Sequence, residues 1–277
     1  MKRKEPFNQL EQWLQQVPTW LFVGVEIIIL ALITLWLETS TIRSFRDAVR
    51  VVFENAESIA LVAAVILFFK EAPSRKAQKH YEAWQVIDNA AAAKVSTSYA
   101  RIQALQDLNE DGVSLLGISL ANAHLQRIDL HGSILMSADL SGVDLSGANL
   151  RGANLNHANL SRSILIDTDL RRANIGVADL RGAILGIADL ALADLRDADL
   201  RDASLSGANL HKAILRDADL RGADLRDVIL QDADLNCTDL REVKNLTLAQ
   251  IRSARCWEQA IYDKVVYQKL ELPQRNS

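Results

Sequence analysis

The sequence predicts an all-β solenoid that turns a corner every five residues, preceded by an apolar helical hairpin and closed by a short helix. Three observations carry this. Every fifth residue from Leu115 to Leu240 is Leu, with Ile175 the one exception, giving 26 consecutive centres. Ala stands two residues before 17 of these centres, and Asp or Asn stands one residue before 17. Upstream, Thr19–Leu37 is a 19-residue apolar run with one charge, Glu26. The composition agrees with a large core: of 277 residues, 49% are hydrophobic and 24% charged, which excludes wholesale disorder. A net charge of −4 gives no basic excess to suggest a nucleic-acid partner. Two Cys, 19 residues apart, exclude a disulfide-stapled scaffold.

A period of five excludes the ordinary elements. On an α-helix five residues advance a net angle of about 140°, so the leucines would spiral around the surface. On a straight strand an odd period sends successive leucines to opposite faces. A chain that bends every five residues keeps them all on one side. The centre and the Ala two before it then point inward, and the residues flanking the centre point outward. The fifth residue makes the corner, where Gly and Asp recur, as at Gly142, Gly147, Asp197 and Asp227.

Units such as ADLRD, ANLRG and ADLSG give the run its character, and residues 113–242 resemble the pentapeptide-repeat family, whose pattern is A-(D/N)-L-x-x. The resemblance implies a right-handed quadrilateral β-helix with four repeats per coil. The 26 repeats then make 6.5 coils, stacked at about 4.8 Å. Leu and Ala fill such an interior, so it holds neither a pore nor a ligand cavity.

The flanking segments complete the domain plan. Residues 1–70 read as a membrane anchor. Its first span, 19–37, is about 28 Å long as a helix, and Trp20 and Trp36 stand at the headgroup level. The second span, 48–69, has a core of 12 uncharged residues, Ser58–Phe69, about 18 Å by itself, and needs its polar first turns to cross. Lys2, Arg3 and Lys4 before the hairpin, and Lys70, Arg75, Lys76 and Lys79 after it, place both ends in the cytoplasm. This predicts an integral protein of a bacterial inner or internal membrane with a cytoplasmic solenoid. Glu26 would lie within the membrane, a functional position by default or a protonated acid bonded to a neighbouring helix. Residues 71–112 read as a helical linker and N-terminal cap, with Trp84, Ile87, Ala91 and Val95 at helical spacing and Gly112 as a C-terminal stop. In residues 243–277, Thr247 and Gln250 form a T-x-x-Q capping box ahead of a helix resembling the family's C-terminal cap, followed by an amphipathic, extended tail.

Chemistry is sparse. His124, His131, His157 and His211 lie in the repeats, but only His131 and His211 share a face, four coils apart. Phosphate-cradling glycine loops, dinucleotide fingerprints and nucleophile elbows are missing from the sequence. We therefore expect no catalytic, cofactor or metal site, and a protein that is not an enzyme. What remains is surface. Asp179, Asp199, Asp219 and Asp239 form one column, and Arg181, Arg201, Arg221 and Arg241 a second beside it. On another face Ile164 and Ile184 replace the outward Asp/Asn, with Ile166, Ile187 and Leu192 nearby. Contiguous apolar surface of a few hundred Å² marks a contact site on the scale of about 300–600 Å² typical of such patches. The expected function is a membrane-anchored, non-enzymatic scaffold that contacts a protein partner or a second copy. The alternatives are a membrane-tethered acidic DNA mimic that binds gyrase, as some family members are, and an auxiliary transporter subunit.

Overall fold

Backbone hydrogen bonding explains the five-residue unit. The structure is a computed structural model, and it describes residues 25, 27–29, 32, 33, 36, 47, 50, 51 and 54–269. In the unit centred on Leu180, four of the five amides have backbone acceptors: Ala178 donates to Ile175 (3.3 Å), Asp179 to Ala158 (3.0 Å), Leu180 to Asp199 (2.7 Å) and Gly182 to Arg201 (2.9 Å). The Ala amide closes the turn behind it, while the other three tie the coil to those above and below. The fifth amide, of Arg181, faces no carbonyl. It donates instead to Asp179 Oδ1 at 3.0 Å. The same bond recurs at Ser141 to Asp139, Arg151 to Asn149 and Asn156 to Asn154. This is the physical reason for Asp or Asn before each centre: either one supplies a side-chain oxygen two residues back from an otherwise orphaned donor.

Parallel bridges join residues twenty apart, as in Asn159 to Asp179 to Asp199. Twenty residues are four units, so the solenoid is four-sided. Each corner is a two-residue turn made of the two residues after the centre, not the fifth residue alone as the periodicity suggested. Its second residue has positive φ at every unit from Gly117 to Glu242, between 51° and 73°, as the third position of a type II turn requires.

The inward positions are sealed: Leu200 is 0% and Ala198 1% exposed. Where Thr replaces the inner Ala, its hydroxyl finds a carbonyl, Thr168 to Leu145 at 2.9 Å and Thr238 to Leu215 at 2.7 Å. The interior is a packed column of side chains.

The chain divides into two compact units, Met1–Lys79 and His80–Ser277. Helix α1 is Ala56–Ala92, and within the second unit its Ala83 and Ile87 join the solenoid core. Helix α2, Tyr99–Glu110, is capped by Ser98, buries Leu105 and Leu108 on the first coil, and donates from Asn109 to the His131 carbonyl at 3.1 Å. His80 bonds Asp111 at the end of α2 at 2.8 Å. At the other end Thr247 and Gln250 form the expected capping box of α3, Leu248–Ser253. Gln250 Nε2 also donates to the Leu225 and Val228 carbonyls, each at 3.0 Å. It thus covers an open sheet edge that would otherwise template association. The tail departs from the extended reading. Ile261 bridges Asp239, and the chain then forms α4, Lys264–Lys269.

The expected localisation is overturned. Among the described residues no helix is long and apolar enough to cross a membrane. The second expected span falls largely in α1, where the uncharged stretch is 12 residues before Lys70 and Glu71 begin a charged run. That is about 18 Å against a hydrocarbon core of about 30 Å. Extending it backwards brings in Arg50 and Glu54, ion-paired at 2.7 Å. Most of Thr19–Leu37, Glu26 included, lies outside the described residues. The transporter-subunit reading rested on Glu26, which lies outside the described residues.

Candidate interaction surface

Two faces of the solenoid carry the candidate residues. On one, the Asp and Arg columns form a continuous ladder. Arg181, Arg201, Arg221 and Arg241 each grip the Asp two residues before them at 2.5–2.6 Å. Three of them also reach the Asp of the next coil, Arg181 to Asp199 and Arg201 to Asp219 at 3.6 Å, and Arg221 to Asp239 at 3.7 Å. The Arg181 hydrogen bond, joined by the Arg181 amide and the Arg201 charge, holds the Asp179 carboxyl below its usual range against the opposing effect of burial. At Asp219 burial is the largest influence and pushes upward, but Arg221 outweighs it and the net shift is again down. These side chains are half-exposed, so each pair contributes only about 0–1 kcal/mol. The Asp column is thus paired residue by residue with Arg.

On the second face the structure brings Ile164 and Ile184 into register through a parallel bridge. Ile166 follows in the turn after Leu165, and Ile187 occupies the positive-φ corner after Leu185 (φ 51°). Leu192 is not beside them. It sits at the next corner round the coil (φ 63°), beyond the strand of Leu190. Ile187 is the most exposed of the group, at 60%. Having Ile at 164 and 184 costs a local bond: among the described residues, the Ile166 and Gly186 amides have no side-chain oxygen two residues back to accept them.

The sequence reading missed Val177. It too is an exposed apolar corner, with φ 57°. Positive φ is disfavoured for branched side chains by about 1–2 kcal/mol per residue. Among the corners from Gly117 to Glu242, Val, Ile or Leu stands only at Val177, Ile187 and Leu192, all within one coil. The signal was in the sequence, had the corners been screened for apolar residues and not only for Gly and Asp.

The histidines hold no common site. His131 bonds Asp129 at 2.8 Å, and His124 bonds Thr97 at 3.0 Å. Among the described residues no group of three or more His, Cys, Asp or Glu could hold a metal ion.

A family model for pentapeptide repeats matches residues 114–152, 148–186, 188–227 and 213–244. The chain belongs to the pentapeptide-repeat family. Solved structures similar to it include a pentapeptide repeat protein, Rfr23, from the cyanobacterium Cyanothece 51142, with 23% identity over 58% of this chain and 99% of that one and a TM-score of 0.32. A pentapeptide repeat protein of the Arabidopsis thaliana thylakoid lumen is 30% identical over 46% of this chain and 74% of that one, with a TM-score of 0.28. QnrB1, a plasmid-mediated fluoroquinolone resistance protein, is 20% identical over 57% and 87%, with a TM-score of 0.28. No curated protein matches. For this pentapeptide-repeat protein the family pattern accounts for the inward Leu and Ala and the Asp/Asn turn bond. It does not account for the apolar corners or the stacked Ile pair.

Proposed function

We propose that this pentapeptide-repeat protein is a non-enzymatic protein-interaction module, and that it makes contact through the apolar face of Ile164, Ile166, Ile184 and Ile187, with Leu192 at the next corner extending the contact; Val177 lies two corners away, beyond the ladder face, and is not part of it. One observation carries the reading: Ile164 and Ile184, each of which gives up a turn bond, stack in register, and Ile187 places a branched side chain at positive φ beside them. Ile134, Ile214 and Ile229 replace the outward Asp/Asn singly on other faces, without an apolar corner beside them. The paired ladder serves as a solvated, rigid wall.

The test is the triple variant Ile164→Asp, Ile184→Asp, Ile187→Asp. All three are outward positions, so circular dichroism should keep the native signature. Sedimentation then reads self-association, and affinity capture compares the partners retained by the wild type and the variant. Loss of the oligomer or of a specific partner supports the reading; a variant with unchanged size and unchanged partners ends it.

A further inference from the structure

A different part of the solenoid gathers four cations around one cleft. Where the last coils meet the segment after α3 there is an open cleft of about 620 Å³. It is lined by Arg196, Lys212, Arg216 and Arg255, with Ile214 as an apolar wall and Asp232 and Asp234 as the acids. Arg216 follows Ile214, where its counterparts in the ladder follow Asp. Deprived of a carboxylate in its own strand, it reaches across to the next coil, and its Nε donates to Asp234 Oδ2 at 2.7 Å. Asp234 is 7% exposed, the one carboxylate among the buried residues described. Arg255 lies in parallel register with it on the outermost strand. Burial pushes the Asp234 carboxyl up, but the Arg216 bond, the Asn236 amide and the charges of Arg216 and Arg255 outweigh it, so it stays ionised.

The charge arrangement follows. Asp194 holds Arg196, and Asp234 holds Arg216 through Nε alone. The Arg216 terminal nitrogens remain available, and among the described residues neither the Lys212 ammonium nor the Arg255 guanidinium has an ion-pair partner. A buried carboxylate orienting one guanidinium, with two more cations on the same cleft, presents a fork that suits a tetrahedral oxyanion. We propose that this cleft is a binding site for a phosphate group, with Lys212, Arg216 and Arg255 as its ligands and Asp234 as the residue that positions Arg216. The proposal does not depend on the apolar face.

The experiment is isothermal titration of the full chain with inorganic phosphate, and separately with O-phosphoserine, in about 0.15 M NaCl, where loose surface charge is screened. Saturable binding of either at one site per chain is expected. Tighter phosphoserine binding identifies the source as a phosphorylated side chain, and tighter phosphate binding identifies a free anion. The double variant Lys212→Ala, Arg255→Ala should weaken binding at least about tenfold, the scale of losing two charge-assisted contacts. The control Arg181→Ala, Arg241→Ala removes the same charge from the ladder and should leave binding unchanged. Thermal melts confirm that both variants fold. Absence of saturable binding by either probe, or equal affinity in the two double variants, overturns the site.

Discussion

Replacing Asp219 by Asn and by Ala separates the two jobs that the outward carboxylate does. Asp219 accepts the Arg221 amide at 3.1 Å, Arg221 Nε at 2.9 Å and Nη2 at 2.6 Å, and lies 3.6 Å from Arg201 Nε. Asp219→Asn keeps an oxygen for the amide and removes the charge. Its cost is that of partly exposed ion pairs, about 0.5–1 kcal/mol. Asp219→Ala loses the amide bond as well, leaving a turn donor to solvent, and adds about 1 kcal/mol. The expected order in urea unfolding is therefore wild type, then Asn, then Ala, with the larger step between Asn and Ala in high salt, where the ion-pair contribution shrinks. The sequence already uses both residues in this slot, Asn at 149, 154, 159, 174 and 209 and Asp at 12 other units, as an acceptor-driven preference requires. Equal destabilisation by Asn and Ala would refute the reasoning: charge, not the turn bond, would then explain the repeat's Asp/Asn position.

Three further outcomes are expected. Leu200→Asp places an unpaired carboxylate in a fully sealed interior and should unfold the solenoid or lower its melting temperature drastically, whereas Arg201→Ala should cost within about 1 kcal/mol; comparable melts for the two would invert the inward/outward assignment. The carboxyls of Asp169, Asp179, Asp194, Asp219 and Asp234 are all depressed, so the unfolded chain binds protons first. Their contribution is complete above the unfolded carboxylate value of about 3.9 and is lost as pH falls through the lower folded values; urea midpoints that do not decline on acidification from pH about 5 to 3 would contradict this. Ile187→Gly relieves a branched residue at φ 51°. It should leave stability unchanged or raise it by up to about 1 kcal/mol while weakening the proposed contact, a divergence that a purely structural Ile187 would not give.

The solenoid was legible because its period is incompatible with any straight element: Leu200 and Ala198 had to face inward wherever the corners fell. The corner itself was only half legible. Gly and Asp mark its second residue by conformational preference, but nothing in the identity of the residue after the centre, Arg at 181 and Gly at 186, shows that it too belongs to the turn. Gln250 was read as a capping residue from its spacing to Thr247. Its second task, covering the Leu225 and Val228 carbonyls, depends on where α3 lands on the coil, and no local pattern encodes that. Arg216 shows the same limit: its unusual reach to Asp234 is caused by Ile214, yet becomes visible only when residues a coil apart are laid side by side. The membrane assignment failed at a different level. The second span needed its polar first turns to reach across, and its uncharged stretch ends at Phe69, with Lys70 and Glu71 directly after it.

A repeat in which every unit satisfies its own hydrogen bonds has a surface that tolerates most substitutions, so the rare positions that break its rules carry information. Of the corner residues, those at 177, 187 and 192 combine positive φ with large apolar side chains. Each costs on the order of 1 kcal/mol of backbone strain and leaves apolar surface in water. Nothing in the packed interior compensates, because the corners do not touch it. The stacked Ile164 and Ile184 add the loss of two turn bonds on the adjoining coils. Scattered over the solenoid, these departures would be neutral drift in a stable scaffold. Under the proposed contact, an occupant of the Ile164 and Ile184 face would offset the cost at Ile187 by covering the exposed side chains and accepting the Ile166 and Gly186 amides, whereas Val177, two corners away, would stay outside it.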